Sequence, residues 1–307
     1  MFSDLGYSWA MTRIAVLTPD PADPSYEGQW QGVLERLAGA LATAGITVDP
    51  SPWTAHVDDA TVLTGYPLVL PLIVWGYHRD HSRWMQGCET WSRAGVPMLN
   101  PPSVIGWNSD KSYLGRLAGK GVAIPPTIWV DGPTQADVDA AFERFGTGVV
   151  IIKPRVSGGA WKTLRLSRGE RLEGAPDGPA MIQPYLPSIE TEGETSLLFF
   201  GGALSHAVNK RPVPGEFRIQ EQFGGLYTPL PEPPPGALAL ARQTLAAVDE
   251  PLLYARIDTV PDAEGRWLLM EAELIEPDFY LGADPRQGAA FAHAVQSALR
   301  TRTELRT

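Results

Sequence analysis

The chain has 307 residues, of which 44% are hydrophobic and 20% charged, so it is long enough for two or three lobes with their own cores. Its net charge of −10 excludes a general nucleic-acid or anionic-membrane binder, because those surfaces require a basic field. The single cysteine, Cys88, excludes an intrachain disulfide and a cysteine-rich zinc site, and we interpret it as a small buried hydrophobe.

The amino-terminal sequence predicts a cytoplasmic protein. The first ten residues contain Asp4 and lack the basic segment of a signal peptide, and no apolar run approaches the roughly 18 residues of a membrane helix. Met11 is an equally good natural start, which would make residues 1–10 a loose extension. With nucleic acid and membrane excluded as partners, we expect a small-molecule partner.

Residues 13–75 alternate between predicted strands and a predicted helix. Strand patterns at 13–18, 47–48 and 68–75 accompany a segment whose apolar residues recur every three or four positions up to Gly45. This order is typical of a parallel α/β layer. Ligands of such sheets bind beyond the carboxyl ends of the strands, which gives four weak substrate-site candidates: Asp20, Tyr26, Tyr77 and His78. For His78 we favour a surface or capping role.

Residues 100–133 differ in character from the α/β layer before them. They contain Asn100-Pro-Pro, a predicted helix that Ser109 or Asp110 caps, and a Pro-Pro pair at 125–126 that ends it. We interpret this region as containing a linker between lobes. A further helix is predicted over residues 134–145 from its apolar spacing.

A glycine-rich connection is the first candidate for phosphate binding. No Gly-x-Gly-x-x-Gly follows the early strands and the chain has no Gly-Lys-Ser/Thr, which excludes a Rossmann site and a P-loop. Residues 149–155 instead form a buried-strand pattern that includes Lys153, followed by Ser157-Gly-Gly-Ala-Trp-Lys162 and another strand at 164–166. The N–H groups of such a flap can hold phosphate oxygens. A plain hairpin turn with a surface lysine is the alternative.

Further strands and a long loop follow. Residues 181–186 predict a strand that leads into a hinge, and residues 195–200 and 204–210 predict a hairpin about Gly201-Gly202. The segment 211–235 is rich in Pro, Gly and Gln, which predicts a functional lid or disorder without regular structure. Helices are predicted over residues 238–248 and 289–299.

An acidic hairpin is the second candidate for nucleotide chemistry. Two apolar strand patterns, 254–260 and 267–277, are joined by a polar turn. Glu271 and Glu273 alternate on one strand and so share a face, and pairing of the strands brings Asp258 beside them. Three clustered carboxylates suit Mg²⁺, which takes its other ligands from water and phosphates. The alternative is a solvated acidic face.

In their order and spacing, the motifs of residues 108–277 resemble the ATP-grasp superfamily, and within it the glutathione synthetases and D-alanine–D-alanine ligases. The motifs are Asn-Ser-Asp-Lys111, Ile-Ile-Lys153-Pro, Ser-Gly-Gly159, Gln183-Pro-Tyr-Leu186, Gly-Glu194-Thr-Ser, Asn-Lys210-Arg-Pro, Arg256-Ile-Asp258 and Glu271-Ala-Glu273.

The resemblance implies an α/β ATP-grasp fold, in which a parallel amino-terminal α/β domain precedes two α+β lobes that clasp the nucleotide. The implied domains are the amino-terminal domain at 1–105, the central lobe with the phosphate lysines and flap at 106–185, and the carboxy-terminal lobe with the ribose, metal and lid residues at 186–307.

The resemblance also implies a role for each matched residue. Those that would bind ATP are Lys111, Lys153, Ser157, Gly158, Gly159, Gln183, Tyr185, Leu186 and Glu194. Two Mg²⁺ ions, with Mn²⁺ as an alternative, would be held by Asp258, Glu271 and Glu273. Arg256 would face the transferred phosphoryl group as a catalytic residue. Three further cations would close over the substrate carboxylate and the γ-phosphate: Lys210, Arg211 and Arg218.

Glu273 departs from the commonest pattern of the superfamily, which has asparagine there. Together with the lid and Glu276-Pro277, it makes the chain resemble the ligases of D-cycloserine biosynthesis, which cyclise O-ureido-D-serine with ATP. The implied activity is ATP-dependent carboxylate–amine ligation through an acylphosphate of an amino-acid-like substrate. Intermolecular peptide-bond formation between amino acids is the alternative, and a non-catalytic nucleotide-binding protein is a weaker one. A homodimer and a homotetramer are both compatible with the resemblance.

Overall fold

A computed structural model describes residues 11–304, which fold into three sheets covered by helices. The mixed α/β architecture confirms the predicted fold class. Within this range, no helix combines the length and the apolar character needed to cross a bilayer. The predicted loose extension, residues 1–10, lies outside the described residues.

The amino-terminal lobe is a parallel sheet with helices packed on it. Its elements are β1 (Thr12–Thr18), α1 (Trp30–Ala42), β2 (Ile46–Pro52), α2 (Thr61–Thr64), β3 (Val69–Leu70) and α3 (His81–Arg93). The strand order is β2-β1-β3, and all pairing is parallel as predicted. The strand predicted over residues 68–75 was too long, because Pro71 has no N–H for the ladder and the chain turns there.

The central lobe is an antiparallel sheet with one covering helix. Its elements are β4 (Ile128–Val130), α6 (Gln135–Phe145), β5 (Val149–Pro154), β6 (Leu164–Ser167) and β7 (Ala180–Pro184), in the order β4-β7-β5-β6. Helix α6 begins at a capping box formed by Thr134 and Asp137, and Gly146 ends it in the left-handed region at φ 60°. Val138 and Phe142 of α6 pack on Val150 and Ile152, which fixes the face of β5.

The carboxy-terminal lobe is a five-stranded antiparallel sheet. Its elements are α7 (Ser188–Thr191), β8 (Glu194–Phe200), β9 (Ala203–Arg211), β10 (Leu226–Leu230), α8 (Pro235–Ala246), β11 (Tyr254–Pro261), β12 (Trp267–Glu273) and α9 (Ala289–Glu304). The strand order is β10-β9-β8-β11-β12. The prediction that 211–235 lacks regular structure was wrong in part, because Leu226–Leu230 pairs with the otherwise open edge of β9.

Core packing crosses the predicted domain boundaries. Two helices, α4 (Pro102–Asn108) and α5 (Tyr113–Gly119), follow the first lobe where the sequence predicted one. Tyr113 and Leu114 of α5 share a core with the carboxy-terminal sheet, and Phe291 of α9 joins the core of the amino-terminal lobe. The boundaries after residues 105 and 185 therefore stay predictions. This shared packing holds the lobes around one cavity.

Candidate active site

A cavity of about 450 Å³ lies between the central and carboxy-terminal sheets, with the amino-terminal lobe on one side. This volume lies in the range of small-ligand sites. Its walls include every residue predicted for nucleotide binding, metal binding or catalysis except Arg211: Lys111, Lys153, Ser157, Gly158, Gly159, Gln183, Tyr185, Leu186, Glu194, Lys210, Arg218, Arg256, Asp258, Glu271 and Glu273. Residues separated by up to 162 positions thus line one cavity.

A buried ion network occupies the floor of the cavity. Asp258 on β11 contacts Arg256 at 3.0 Å, Lys210 of β9 at 3.3 Å and the Ser196 hydroxyl of β8 at 2.6 Å. Lys210 also pairs with Glu194 at 2.6 Å. Burial opposes the ionised form of Asp258, but Arg256 and Lys210 overcome it and lower the pKa of that carboxyl to about 2. Asp258 is therefore ionised at neutral pH.

The three predicted metal carboxylates meet through the register of the hairpin. Asp258 lies opposite Glu271, and Arg256 lies opposite Glu273. Arg256 also donates to Glu273, and Lys111 donates to Glu271. Burial would raise the pKa of Glu271, but Lys111 and then Lys153 lower it. Burial dominates at Glu273 and raises its pKa to about 8, with Glu271 and Asp258 adding to the rise.

The donor set fits a hard cation, although the ion pairs now present would have to rearrange. No group of three or more acidic, His or Cys side chains within residues 11–304 has the geometry of a ready metal site. Each predicted ligand instead contacts a protein cation. Burial and neighbouring carboxylates raise the pKa of Glu273, so its ionised form is disfavoured in the ligand-free protein, and a divalent cation would stabilise that form.

Two lysines, Lys111 and Lys153, reach the cavity. Lys153 lies near the end of β5, and its ammonium forms no side-chain hydrogen bond or ion pair among the described residues. Burial lowers the pKa of Lys153, and the positive charge of Lys111 contributes to the decrease. The N–H of Lys111 donates to Arg155 at 2.8 Å, and Arg155 also pairs with Asp110 at 2.7 Å. Asp110 and Arg155 thus fix one lysine relative to the other.

The predicted glycine-rich flap forms a strained turn over the cavity. Gly159, Ala160 and Lys162 have positive φ values of 59°, 61° and 52°, which only glycine adopts without cost. A Cβ at Gly158 would lie 3.3 Å from Nδ1 of His78 in the amino-terminal lobe. His78, favoured above as a surface or capping residue, therefore contacts the flap. A ring pair with Trp161 at 6.0 Å adds to this contact.

The predicted adenine end lies at the hinge after β7. Gln183 is buried, and its amide donates to Thr127 at 3.0 Å. Tyr185 donates its hydroxyl to Glu190 and stacks under Arg165, whose guanidinium lies 5.0 Å from the ring centroid. Together with Leu186 these residues form a largely apolar slot that suits a flat heterocycle.

The two lid arginines have different surroundings. Arg218 lines the cavity, but its guanidinium is engaged within the lid by Glu216 at 2.7 Å and lies 3.6 Å from the Phe223 ring centroid. Arg211 is exposed and contacts Asn209 and the Glu192 carbonyl. Side chains alternate along β9, so Arg211 points away from the face that carries Lys210. Its substrate role stays a prediction that this geometry does not favour.

Sequence reasoning missed two cavity residues that follow the acidic hairpin. The side chains of Glu276 and Tyr280 face the cavity, and Tyr280 lies under both Arg256 and Lys210 at 5.2 and 5.8 Å. Burial raises the pKa of Glu276 to about 7, and the nearby Glu271 charge adds to the rise. The signal was present in the run Glu-x-Glu-x-x-Glu-Pro, whose third acid was used only to narrow the family.

Relatives of this chain include an enzyme of antibiotic biosynthesis. Residues 14–100 match the protein-family model for the N-terminal domain of D-cycloserine synthetase DcsG. The cycloserine biosynthesis protein DcsG of Streptomyces lavendulae is 27% identical over 289 residues, which cover 86% of this chain and 93% of that protein. The crystal structure of D-cycloserine synthetase DcsG superimposes with a TM-score of 0.78 at 26% identity, over 94% of this chain and 99% of that one.

Other proteins similar to this chain are a glutathione synthetase and a D-alanine–D-alanine ligase. The glutathione synthetase of Parasynechococcus marenigrum (strain WH8102) is 32% identical over 233 residues, which cover 70% of each chain. The D-alanine–D-alanine ligase of Bacillus anthracis shares the fold, with a TM-score of 0.69 at 14% identity over 96% of this chain and 99% of that one. A structure of the same ligase in complex with ATP also matches, with a TM-score of 0.66 at 16% identity over 96% of this chain and 99% of that one.

Proposed function

The chain belongs to the glutathione synthetase-like ATP-grasp ligases, and on that premise we propose that it cyclises an O-ureido amino acid such as O-ureido-D-serine. As a member of this family it is an ATP-dependent ligase that forms C–N bonds. The proposal adds the substrate and the intramolecular course of the reaction.

The similarity of the amino-terminal lobe carries this proposal. Residues 14–100 match the N-terminal domain of D-cycloserine synthetases, whereas the glutathione synthetases match over only 70% of the chain. The residues that we propose for nucleotide and metal binding all lie after residue 108, which leaves the amino-terminal lobe free to select the substrate. Trp75 and Tyr77 of this lobe line the same cavity as Arg256 and Glu273.

The assigned ATP residues suit the parts of a nucleotide. Gln183, Tyr185 and Leu186 would hold the base, and Glu194 the ribose hydroxyls. Lys111 and Lys153 would bind the phosphates as point charges, beneath N–H groups of the flap at 157–160. Lys153 supports this assignment most directly. Its buried ammonium contacts no carboxylate among the described residues, and a phosphate would supply the missing negatively charged partner.

The acidic hairpin would bind Mg²⁺ through Asp258, Glu271 and Glu273. When bound, Mg²⁺ neutralises phosphate charge and orients the transferred group. We propose two ions, with Mn²⁺ as a substitute, because the hairpin offers three carboxylates. Glu271 and Glu273 would exchange their present contacts with Lys111 and Arg256 for the metal. That exchange would also free both cations to bind phosphate oxygens.

In the proposed reaction, the substrate carboxylate attacks the γ-phosphorus and the bond to ADP breaks, giving an acylphosphate. The oxygen-linked ureido nitrogen of the same molecule then attacks the acyl carbon, phosphate leaves and the nitrogen loses its proton, which closes the ring. Hydrolysis of the carbamoyl group on that nitrogen by water, with release of carbamate, would give the free ring N–H. Arg256 stabilises the charge of the transferred phosphoryl group through hydrogen bonds from its planar guanidinium. Lys210 and the lid residue Arg218 neutralise the substrate carboxylate, and closure of lid and flap excludes water.

The test is nucleotide turnover with defined substrates. ADP release should rise when O-ureido-D-serine is added alone, and the product should contain the new ring by mass spectrometry. Asp258→Asn should abolish the stimulated turnover. Stimulation that appears only when two amino acids are present would contradict cyclisation and favour peptide-bond formation. That alternative rests on the 32% identity to a glutathione synthetase. Background turnover with every amino acid would contradict both.

The remaining proposals concern the partners, the location and the assembly of the protein. We propose a small amino-acid-like substrate and no nucleic-acid or membrane partner, in line with the net charge of −10. The cytoplasmic location and the assembly as a homodimer or homotetramer stay predictions.

A further inference from the structure

Among the carboxylates that line the cavity, Glu276 and Asp278 form no ion pair within the described residues, and Asp278 is exposed to solvent. Glu194, Asp258, Glu271 and Glu273 each contact a lysine or arginine. The side chain of Glu276 faces the same cavity and is largely shielded from solvent, and it accepts a hydrogen bond from its own backbone N–H but pairs with no cation of the described residues. A shielded, unpaired carboxylate is costly in the ligand-free protein. A cationic ligand group would remove that cost.

The backbone around Glu276 is held rigidly. The N–H of Leu274 donates to Asn108 at 3.0 Å, and its carbonyl accepts from Asn100 at 2.8 Å. The next carbonyl, that of Ile275, accepts from the Tyr254 hydroxyl at 2.7 Å. Pro277 follows and restricts the backbone of Glu276 to extended conformations. The carboxylate is therefore presented from a fixed position, as a recognition group requires.

The surroundings of Glu276 suit an organic cation better than a metal ion. Trp75 and Tyr77 of the amino-terminal lobe line the cavity beside it. Burial and then the charge of Glu276 raise the pKa of the Tyr77 hydroxyl. Aromatic faces attract ammonium groups, whereas Mg²⁺ requires a shell of oxygen ligands. Lys111 and Arg256, two protein cations that line the same cavity, are already bound to other carboxylates.

We propose that Glu276 binds the α-ammonium group of an amino-acid substrate beside Trp75 and Tyr77 and so selects substrates with a free amino group. This inference rests on the proposed function, because it assumes that the cavity holds an amino acid. The substrate carboxylate would then point toward Arg256 and Lys210, on the floor of the same cavity. Glu276 is a positioning and specificity residue in this proposal, and it takes no part in proton transfer.

The kinetic test compares Glu276→Gln with wild type on two substrates. With O-ureido-D-serine, the variant should raise KM by about 10- to 100-fold, the range for a hydrogen bond to a charged group, and change kcat and the KM for ATP little. With 3-(ureidooxy)propionate, which lacks the amino group, wild type and variant should have the same KM. Glu276→Asp should recover part of the loss. Glu232→Gln, an exposed acid outside the cavity, is the matched control.

A different pattern of effects would overturn the inference. An equal loss on both substrates would assign Glu276 to the structure or to metal binding. A loss of kcat together with the acidic limb of the pH–rate profile would assign it to proton transfer. Because Glu276→Gln removes an unpaired charge, its melting temperature should not fall, and a marked decrease would identify a structural role.

A binding measurement separates this inference from the proposed reaction. Calorimetric titrations with ADP and Mg²⁺ present would compare D-serine and D-alanine with 3-hydroxypropionate and propionate. Selective, Glu276-dependent binding of the amino acids supports the inference even if O-ureido-D-serine gives no ring product, which would overturn only the proposed reaction. Equal affinities within each pair, or no binding of either amino acid, would overturn the inference itself.

Discussion

The strand-borne floor of the cavity and the loops above it hold their charges in opposite ways. On the floor, Arg256, Asp258 and Lys210 are buried and fixed by strand register and mutual contacts. In the lid, Arg218 is half-exposed and bound by Glu216 of the same loop. The flap has three consecutive or near-consecutive positive φ values, two of them at non-glycine residues. The floor is therefore preorganised, and the loops must rearrange to act.

This difference suggests that the strands of the floor serve the chemical step and that the loops control entry of the substrate. Groups that stabilise a developing charge are most effective when they need no reorganisation, which favours rigid strands. Groups that enclose a substrate have to let it in first, which favours glycine-rich loops with weak local ion pairs. Substitutions in the floor should therefore change turnover strongly, whereas substitutions in the loops should change substrate binding modestly.

Arg256→Lys is the sharpest test of the floor. The charge is kept, but the planar fork that contacts both Asp258 and Glu273 is lost. We expect kcat to fall by about 10²- to 10³-fold, as when one preorganised donor is removed from an active site. Steady-state kinetics would measure the loss, and calorimetry should show nucleotide binding within several-fold of wild type.

The matched control is Arg266→Lys, which makes the same change at the exposed turn of the same hairpin. Arg266 pairs there with Asp262 and Glu264 and lies outside the cavity. Its turnover should equal that of wild type. A rate for Arg256→Lys within threefold of wild type would remove the distinction between floor and loops.

Lys153→Met should weaken ATP binding by about 10- to 100-fold, the cost of one charge-assisted contact. The protein itself should lose no stability. Burial lowers the pKa of Lys153 in the folded chain, so its charged form opposes folding below its unfolded pKa, and removing the charge relieves this. Calorimetric titration and thermal melting would check the two effects, with Lys153→Arg as the charge-conserving comparison. A large drop in melting temperature would show that the lysine has a structural partner.

Much of the floor was predictable because strand geometry is local. The alternation of residues 271 and 273 and a short polar turn were enough to place Asp258 opposite Glu271, as the register confirms. The hairpin about Gly201-Gly202 was predictable from its turn residues, and helix α6 from its apolar spacing. The third strand failed because one proline outweighed an otherwise apolar run, and β10 failed because pairing at an open edge depends on a distant strand.

The site contacts that the sequence did not reveal join segments that are far apart along the chain. Ser196 bonds Asp258 only because β8 lies beside β11, and no local pattern distinguishes it from other serines on strands. His78 reaches the flap from 80 positions earlier in the chain. The substrate role predicted for Arg211 ignored the same alternation that succeeded at Glu271 and Glu273, since Lys210 and Arg211 are consecutive on β9.

The stability of the ligand-free protein should depend on pH through the carboxylates of the floor. Burial and neighbouring carboxylates raise the pKa of Glu273 from 4.5 to about 8, so the folded state binds its proton more tightly than the unfolded chain does. Ionisation then opposes folding, and stability falls as pH rises from about 4.5 through about 8. Buried histidines such as His78 have lowered pKa values and give the opposite trend below pH 6.5. Above that pH the effect of Glu273 is the clearer one.

Melting curves of wild type and Glu273→Gln from pH 6.5 to 9 would isolate this effect. As pH rises, the melting temperature of the variant should increase by a few degrees relative to that of the wild type. This is the shift expected from a difference of about one kcal/mol in the free energy of unfolding. Mg²⁺ with ADP should reduce the difference, because a bound cation neutralises Glu273 in the wild type. A constant difference across this pH range would mean that the floor tolerates its full negative charge without a metal.

Glu216→Gln in the lid should have the smallest effect. Hydrogen bonds from Arg218 and its backbone lower the pKa of the Glu216 carboxyl to about 2, so Glu216 is ionised and retains Arg218 at neutral pH. Because the pair is largely solvated, neutralising it should leave the melting temperature unchanged and lower the substrate KM by only about two- to fivefold. Steady-state kinetics in the wild-type and Arg218→Ala backgrounds would check this. If Glu216 acts by holding Arg218, the substitution has no effect once Arg218 is absent. The same decrease in both backgrounds would instead show that Glu216 repels the substrate directly. Glu216 would then not act by keeping Arg218 from the substrate.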